Sequence, residues 1–128
     1  MFGSLDFVYV PTPDVDAAAQ HYVAALRADL VWKVRAMGTT VACLRVTEHG
    51  PDILLAGHLH GTTPLLVYRV DDYSATVDAL RASGLQLHEL EIPHGPCVSF
   101  TAEGGQRYAV YQLVRPEAAH SFDGRIDS

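Results

Sequence analysis

The sequence has little cysteine and tryptophan and no excess of positive charge. Its 128 residues include two cysteines and one tryptophan, and nine lysines and arginines stand against fifteen aspartates and glutamates. The formal net charge of −6 argues against a nucleic-acid surface, where clustered basic side chains are expected, and against binding to anionic membrane. Cys43 and Cys97 lie in strand-like runs, so we expect buried free thiols, although a disulfide stays open.

The sequence also lacks long apolar runs and a secretion signal. The first ten residues, MFGSLDFVYV, contain no basic region followed by a long apolar stretch. No run approaches the roughly 20 apolar residues of a membrane-spanning helix. We therefore expect a cytoplasmic protein that contacts neither membrane nor nucleic acid, with a length suited to a single domain.

What the sequence does contain is one pattern that occurs twice. Residues 5–26 read LDFVYVPTPDVDAAAQHYVAAL and residues 64–83 read PLLVYRVDDYSATVDALRAS. Each segment is a short apolar strand, an aspartate suited to cap a helix (Asp14, Asp72) and an amphipathic helix. A unit repeated at half the chain length indicates two copies of one fold packed together.

Each copy continues with three further predicted strands, which gives the order β-α-β-β-β twice. This order predicts an α+β fold in which two βαβββ repeats form a cup-shaped sheet with the helices outside. Residues 1–116 are predicted to form one domain, with repeat one at 5–56 and repeat two at 64–114, and residues 117–128 a flexible tail. The additional strands are predicted at 30–36, 40–46, 52–56, 85–92, 97–101 and 106–114.

The segments FVYVPTPDVDAAAQHY, LLVYRVDDYSATVDAL and SFTAEGGQRYAVYQLV, in this order of elements, resemble the vicinal oxygen chelate superfamily. That superfamily includes glyoxalase I, extradiol dioxygenases, fosfomycin resistance enzymes and bleomycin resistance proteins. The stretch from Phe100 to Gly105 is similar to the family's F-x-D-P-D-G-N turn, with Gly105 retained and Gln106 in place of the asparagine.

The resemblance implies where a metal would be bound. Metal-using members place a histidine on the first strand of each half and a glutamate on the last strand. The matching positions here are Phe7, Leu65 and Ala109, with Leu54 in the first half. None of these side chains offers a lone pair to a divalent ion. The resemblance therefore implies the metal-free, bleomycin-resistance-like branch, without a metal or other cofactor.

Alternation along the strands predicts which side chains face the cavity of the cup. These side chains would form an apolar, aromatic surface with a few polar groups, which is typical of a small-molecule site. The aromatic residues would serve equally well as packing residues, and the arginines as surface charges. The predicted ligand-binding residues are Phe7, Tyr9, Trp32, Leu54, Leu65, Val67, Arg69, Arg107, Ala109 and Tyr111.

On this basis the sequence predicts a metal-independent binding protein without catalytic residues, and not an enzyme. It would be a homodimer that sequesters an aromatic or polycyclic antibiotic. The alternative is a lyase, isomerase or dioxygenase of the same superfamily, with an acid–base site at His94, Glu89 or Glu91 or a relocated metal near His58 and His60. A third possibility is a structural module whose cavity is filled by its own side chains.

Overall fold

The structure, a computed structural model, describes residues 1–36 and 38–128, without the side chain of Glu91. The β-α-β-β-β order occurs twice, so the predicted α+β class and the repeat are confirmed. The described elements are β1 (Leu5–Pro11), α1 (Val15–Leu26), β2 (Asp29–Ala36), β3 (Thr39–Arg45), β4 (Asp52–Ala56), β5 (Leu65–Arg69), α2 (Tyr73–Ala82), β6 (His88–Ile92), β7 (Gly95–Thr101), β8 (Arg107–Tyr111) and a 3-10 helix (Pro116–His120).

The chain divides into two compact units that follow the repeats except at the chain ends. The first-repeat unit contains Phe7–Pro64 together with Phe122–Ser128. The second-repeat unit contains Met1–Asp6 together with Leu65–Ser121. The first six residues therefore pack with the second repeat, and the last seven pack with the first.

In the first-repeat unit, the strands follow the order β2-β3-β4-β1, with antiparallel pairs except for the parallel β1–β4 pair. Phe7 lies opposite Asp52 and Tyr9 lies opposite Leu54, so Leu54 is two residues after the partner of Phe7. One face of these strands packs beneath α1. The buried residues of this core are Val15, Ala19, Ala28, Ala42, Leu44 and Leu55, with Val10, Ala18, Tyr22, Leu30 and Ile53 packed against them.

The second-repeat unit repeats this arrangement, with a parallel β5–β8 pair and antiparallel β8–β7 and β7–β6 pairs. Val67 lies opposite Ala109, and Leu65 is two positions before Val67. Ala109 is therefore two residues after Arg107, the partner of Leu65, just as Leu54 is two residues after Asp52, the partner of Phe7. The core beneath α2 consists of Val70, Val77, Val98, Phe100 and Val110, with Phe2, Tyr68, Tyr73, Leu80, Leu85, Leu87 and Tyr108 packed against it.

The two helices begin in the same way, as the repeat predicts. The Asp14 carboxylate accepts a hydrogen bond from the Ala17 N–H (3.0 Å), and the Asp72 carboxylate accepts one from the Ala75 N–H (3.1 Å). Both aspartates have extended backbone angles, and each satisfies one of the N–H groups left open at a helix start. Neither α-helix in the described part of the chain is long and apolar enough to cross a membrane.

A β-bulge in β2 determines where Trp32 points. Leu30 lies opposite Leu44, whereas Trp32 lies opposite Cys43, so Val31 is an extra residue in the strand. An extra residue reverses the side-chain alternation beyond it. Leu30 therefore packs beneath α1, and Trp32 lies on the opposite face of the strand.

The end of the chain differs from the predicted flexible tail. Residues Pro116–His120 form the 3-10 helix, and Phe122–Ser128 follows the free edge of β2. The Gly124 N–H donates to the Val31 carbonyl (3.0 Å), the Lys33 N–H to the Arg125 carbonyl (2.8 Å), and the Asp127 N–H to the Lys33 carbonyl (2.8 Å). These bonds satisfy backbone groups that an edge strand otherwise leaves open.

Two predicted strands are shorter than the sequence indicates. The strand predicted at 85–92 begins only at His88. Leu85 and Leu87 alternate with polar residues and pack against the core beneath α2, and this alternation led to the longer prediction. The strand predicted to run to 114 ends at Tyr111. Beyond it, the Gln112 side-chain oxygen accepts a hydrogen bond from the Tyr73 N–H (2.9 Å) at the start of α2.

Candidate functional site

The predicted ligand-binding residues of each unit lie on the strand face that is turned away from its helix. In the second-repeat unit, Tyr68, Tyr108 and Val110 pack beneath α2, so the residues that alternate with them face the other way. The same holds in the first-repeat unit, where Val10 and Leu55 pack beneath α1. The residues on this face are Leu65, Val67, Arg69, Arg107, Ala109 and Tyr111 in one unit, and Phe7, Tyr9 and Leu54 in the other.

These residues differ in how much surface they present. Leu54, Val67, Ala109 and Tyr111 are buried, each with 3% or less of its surface exposed. The other strand residues of the predicted set are half-buried. The Trp32 ring packs edge-on against Phe122 of the terminal segment, with the ring centroids 5.3 Å apart. The four buried side chains can therefore determine the shape of a site, but they have little exposed surface with which to contact a ligand.

The residues present do not fit the divalent metal that the fold family implies. The positions that the resemblance assigns to its ligands hold Phe7, Leu54, Leu65 and Ala109, and these occupy repeat-related places in the strand register. Metal binding in proteins requires nitrogen, oxygen or sulfur lone pairs, which these side chains lack. In the described part of the chain, no three histidine, cysteine, aspartate or glutamate residues lie close enough together to hold an ion.

A polar cluster in the second-repeat unit is centred on the Asp6 carboxylate. One carboxylate oxygen accepts a hydrogen bond from the Tyr111 hydroxyl and lies 3.0 Å from Nε of Arg69. The other accepts a hydrogen bond from the Ser4 hydroxyl at 2.5 Å. The Asp6 side chain is only 15% exposed, and charge-assisted contacts of this kind offset the cost of removing a charge from water.

Tyr111 holds one side of this cluster as a hydrogen-bond donor. It is 2% exposed, and burial, followed by its hydrogen bond to the Asp6 carboxylate, raises the pKa of its phenol well above the ordinary value of 10.0. The hydroxyl therefore stays protonated at neutral pH. Its role in the cluster is to orient Asp6, not to accept a proton.

Arg69 is the accessible cation of the cluster. Its Nε faces Asp6, while the side chain as a whole remains 43% exposed. Within the described part of the chain, its terminal nitrogens make no hydrogen bond. Because the paired carboxylate and Tyr111 fix the guanidinium on one side, its other side is presented in a defined orientation.

His94 completes the cluster beside Tyr111. Their rings meet edge to face, with the centroids 5.8 Å apart, and the His94 carbonyl accepts hydrogen bonds from the N–H groups of Val114 and Arg115 (both 3.0 Å). Burial lowers the pKa of the imidazole from the ordinary 6.5, the nearby Asp6 opposes this shift, and Arg115 adds to it. The ring is therefore neutral at pH 7 and able to accept a proton.

Gly95, which follows His94 and begins β7, packs closely against the backbone that follows β8. A Cβ atom at this position would lie 2.1 Å from the Gln112 carbonyl oxygen, far inside van der Waals contact. Only glycine permits this close approach of two backbones. The residue next to the candidate base is therefore fixed by sterics.

Other candidate groups named from the sequence do not assemble into a site. Glu89 is exposed and pairs with Arg81 at 3.1 Å on the surface, and the side chain of Glu91 lies outside the described residues. His58 and His60 are exposed in the loop before β5. Of the acid–base residues proposed from sequence whose side chains the structure describes, only His94 lies in the cluster.

The two cysteines are free and buried. Burial raises the pKa of Cys43 to about 12 and that of Cys97 to about 11. The thiolate is the reactive form, and both groups are thiols at neutral pH. Neither is suited to act as a nucleophile.

The first-repeat unit has a groove of about 540 Å³ between α1 and β2. Its charged groups neutralise each other, because Asp16 pairs with Lys33 at 2.8 Å and also with Arg35. Asp16 also has a lowered pKa, caused by its hydrogen bonds to these two residues, so it is a weak base. The groove therefore offers a surface but no reactive group.

Sequence analysis missed one member of the cluster, Asp6, because side chains alternate between faces along β1. Asp6 alternates with the predicted cavity residue Phe7 and was therefore not assigned to the site. A signal was nevertheless present, because a lone carboxylate in the apolar run LDFVYV requires a partner when it is buried. Its partners are Arg69 and Tyr111, which the sequence had named as ligand-binding residues and not as partners of Asp6.

No protein-family model matches the sequence, and a comparison with curated proteins finds no match. Solved structures are similar over most of the chain. Methylmalonyl-CoA epimerase from Mycobacterium tuberculosis has a TM-score of 0.74 at 22% identity, over 92% of this chain and 93% of the other. The chain has the vicinal oxygen chelate fold.

Two further structures show the same likeness. A variant of Streptomyces coelicolor methylmalonyl-CoA epimerase, in complex with 2-nitronate-propionyl-CoA, has a TM-score of 0.71 at 13% identity, over 90% of this chain and 97% of the other. A hypothetical protein from Bacillus halodurans C-125 has a TM-score of 0.70 at 14% identity, over 85% and 93%.

These similarities correct the functional prediction made from sequence. The prediction of a non-enzymatic protein that sequesters an antibiotic is wrong, because the methylmalonyl-CoA epimerases to which the chain is similar are enzymes. They favour the alternative, an enzyme of the same superfamily. The error came from treating the missing metal ligands as a sign of missing chemistry.

Proposed function

We propose that this chain is an enzyme of the epimerase or isomerase type, which moves a proton at a carbon atom next to a carbonyl group. The observation that carries the proposal is the Asp6 cluster, defined as Asp6, Arg69, His94 and Tyr111. It combines a neutral imidazole with an oriented guanidinium in a partly buried setting. The likeness to methylmalonyl-CoA epimerases supports this class of reaction.

The chemistry of such a reaction requires a base and a nearby positive charge. Removing the proton leaves an electron pair that moves onto the carbonyl oxygen and forms an enolate. A base whose pKa lies near the working pH is suited to the first step, and a fixed cation stabilises the negative charge that develops. His94 fits the first role and Arg69 the second.

We assign the steps as follows. The imidazole of His94 accepts the proton from carbon, and the C–H bonding electrons pass into the enolate. A water molecule delivers a proton to the opposite face of the planar enolate, which inverts the centre. The proton on His94 then passes to the hydroxide that remains, which restores water and the neutral imidazole. Tyr111 and Asp6 are positioning residues, because they hold Arg69 and the His94 ring.

The substrate contacts predicted for the other residues remain part of the proposal. Leu65 and Arg107 lie on the same face as Arg69 and are proposed to line the substrate site. The predicted contacts of Phe7, Tyr9 and Trp32 in the first-repeat unit stay predictions.

Exchange of the α-proton for deuterium tests the proposal. Methylmalonyl-CoA in D2O is incubated with the protein, and loss of the α-proton is followed by NMR against the rate in buffer alone. We expect exchange that depends on the protein and falls by about 100-fold or more in H94Q, since a positioned base contributes roughly that factor.

His88→Gln is the matched control, because His88 is an exposed histidine of the same unit. It should exchange at the wild-type rate. Exchange by the folded wild-type protein no faster than in buffer, or an H94Q variant as fast as wild type, would overturn the proposal.

A further inference from the structure

The proposed proton transfer uses the positive charge of Arg69 but names no group that its terminal nitrogens would bind. Arg69 uses Nε toward Asp6 at 3.0 Å, and its side chain stays 43% exposed. A guanidinium has two terminal nitrogens in a planar fork that matches the two oxygens of a carboxylate. The shortest contact to Asp6 is made through Nε, so binding of an anion through the fork is compatible with this ion pair.

We propose that Arg69 binds a carboxylate of the substrate through its terminal nitrogens, and that the substrate class is therefore an acid bearing a carboxylate close to the reacting carbon. This inference rests on the proposed function for the identity of the site. It goes further because it assigns the charge that a divalent ion would supply to a side chain of this protein.

Three observations lead to Arg69. Phe7, Leu54, Leu65 and Ala109 supply no metal ligand, so a charged substrate group needs another cation. Arg69 lies on the same strand face as Leu65 and Val67, which is the face turned away from α2. It is also held by a carboxylate that is itself held by buried Tyr111, whereas an unsupported surface arginine would lose side-chain freedom on binding.

The other arginines of the unit differ from Arg69 in their support. Arg81 pairs with Glu89 on the outer surface of α2, remote from the strand face. Arg115 donates to the carbonyl groups of Ile92 (3.0 Å) and Pro93 (2.6 Å) and so joins the turn to the chain that follows β8. Arg107 shares the face with Arg69 but lies at the other end of the paired strands, opposite Leu65.

The test uses a probe that binds without turnover. Methylmalonate, a free dicarboxylate without a thioester, is titrated into the wild-type protein and variants by calorimetry. We expect R69M to weaken binding by tenfold or more and R69K to weaken it by several-fold, because lysine keeps the charge but loses the fork. The control R81M, which removes an exposed, carboxylate-paired arginine, should bind as wild type.

The variants remain informative if one of them is unstable. Circular dichroism reports whether R69M is folded, and R69K decides the question if it is not. D6N adds a second readout, since it keeps an acceptor for Tyr111 but removes the charge that orients Arg69, and it should weaken binding as well. The inference would be overturned if R69K and R69M both bound methylmalonate as tightly as wild type. It would also be overturned if R107M lost more affinity than R69M, or if the wild-type protein did not bind methylmalonate.

The outcomes separate this inference from the proposed function. If methylmalonate binds in an Arg69-dependent way but no α-proton exchange occurs, the proposed anion site is supported and the proposed proton-transfer activity is refuted. Exchange that depends on His94, together with unchanged binding in the Arg69 variants, would refute the anion site alone.

Discussion

At the scale of single residues, the position of one charge governs the candidate site. Asp6 is the only charged residue in its strand, LDFVYVP, and it is mostly buried. The ion pair to Arg69 and the hydrogen bond from Tyr111 make that burial tolerable. The same contacts orient the guanidinium, so the stability of the cluster and its chemistry depend on the same atoms.

The state of His94 predicts how activity depends on pH. A base must be unprotonated to work, and burial lowers the pKa of His94 below 6.5. We expect kcat/KM for α-proton exchange to rise with pH, to reach half its maximum below pH 6.5, and to be level at pH 7. A half-maximum above pH 7, or the same rising limb in H94Q, would contradict this assignment.

The same shift in pKa makes a prediction about stability. The unfolded chain binds a proton at His94 more readily than the folded protein does, so protonation favours unfolding. His94 therefore contributes to stability above pH 6.5 and loses that contribution as pH falls through its lower, folded-state pKa. Urea unfolding from pH 5 to 7.5 should show a steeper loss for wild type than for H94Q.

At the scale of elements, the terminal segment behaves as an additional strand. Phe122–Ser128 makes backbone bonds to Val31 and Lys33, and the Asp127 carboxylate accepts a hydrogen bond from the Arg35 N–H at 2.9 Å. The Phe122 ring covers Trp32. The segment therefore protects both the open edge of β2 and the tryptophan side chain.

Removing residues 122–128 tests this role. We expect the emission of Trp32 to shift to longer wavelength, because its ring gains water, and the melting temperature to fall by about 3 °C or more. F122A in the full-length chain is the matched control, and it should shift the emission with a smaller loss of melting temperature. Unchanged emission and melting temperature after truncation would show that the segment does not cover β2 in solution.

Local sequence signals were enough to predict most elements. The paired caps Asp14 and Asp72 and the alternating strands follow from capping and periodicity. The bulge at Val31 and the pairing of the terminal segment with β2 were missed. Both depend on contacts between residues far apart in the chain, and a local pattern does not encode them.

The candidate site was predictable in part, for a related physical reason. Register along the repeat placed the apolar residues Phe7, Leu65 and Ala109, because their positions follow from turns and caps. The sequence named Arg69 and Tyr111 as candidate ligand contacts but not Asp6, which contacts both of them, since alternation assigned Asp6 to the other face. The chemistry was mispredicted because the absence of metal ligands says nothing about which other groups converge.

At the scale of the whole molecule, the expected homodimer stays a prediction. The chain mass is 13.9 kDa, and sedimentation velocity at micromolar concentration should give a species of twice that mass. A single species at the chain mass across a tenfold range of concentration would show that the protein is a monomer.

The most direct test of the central claim is α-proton exchange by metal-depleted protein. Wild-type protein dialysed against EDTA, with metal content checked by mass spectrometry, is incubated with methylmalonyl-CoA in D2O. We expect exchange well above the buffer rate and unchanged by EDTA, because His94 and Arg69 supply the base and the charge. Exchange that disappears with the metal and returns when a divalent ion is added would contradict it.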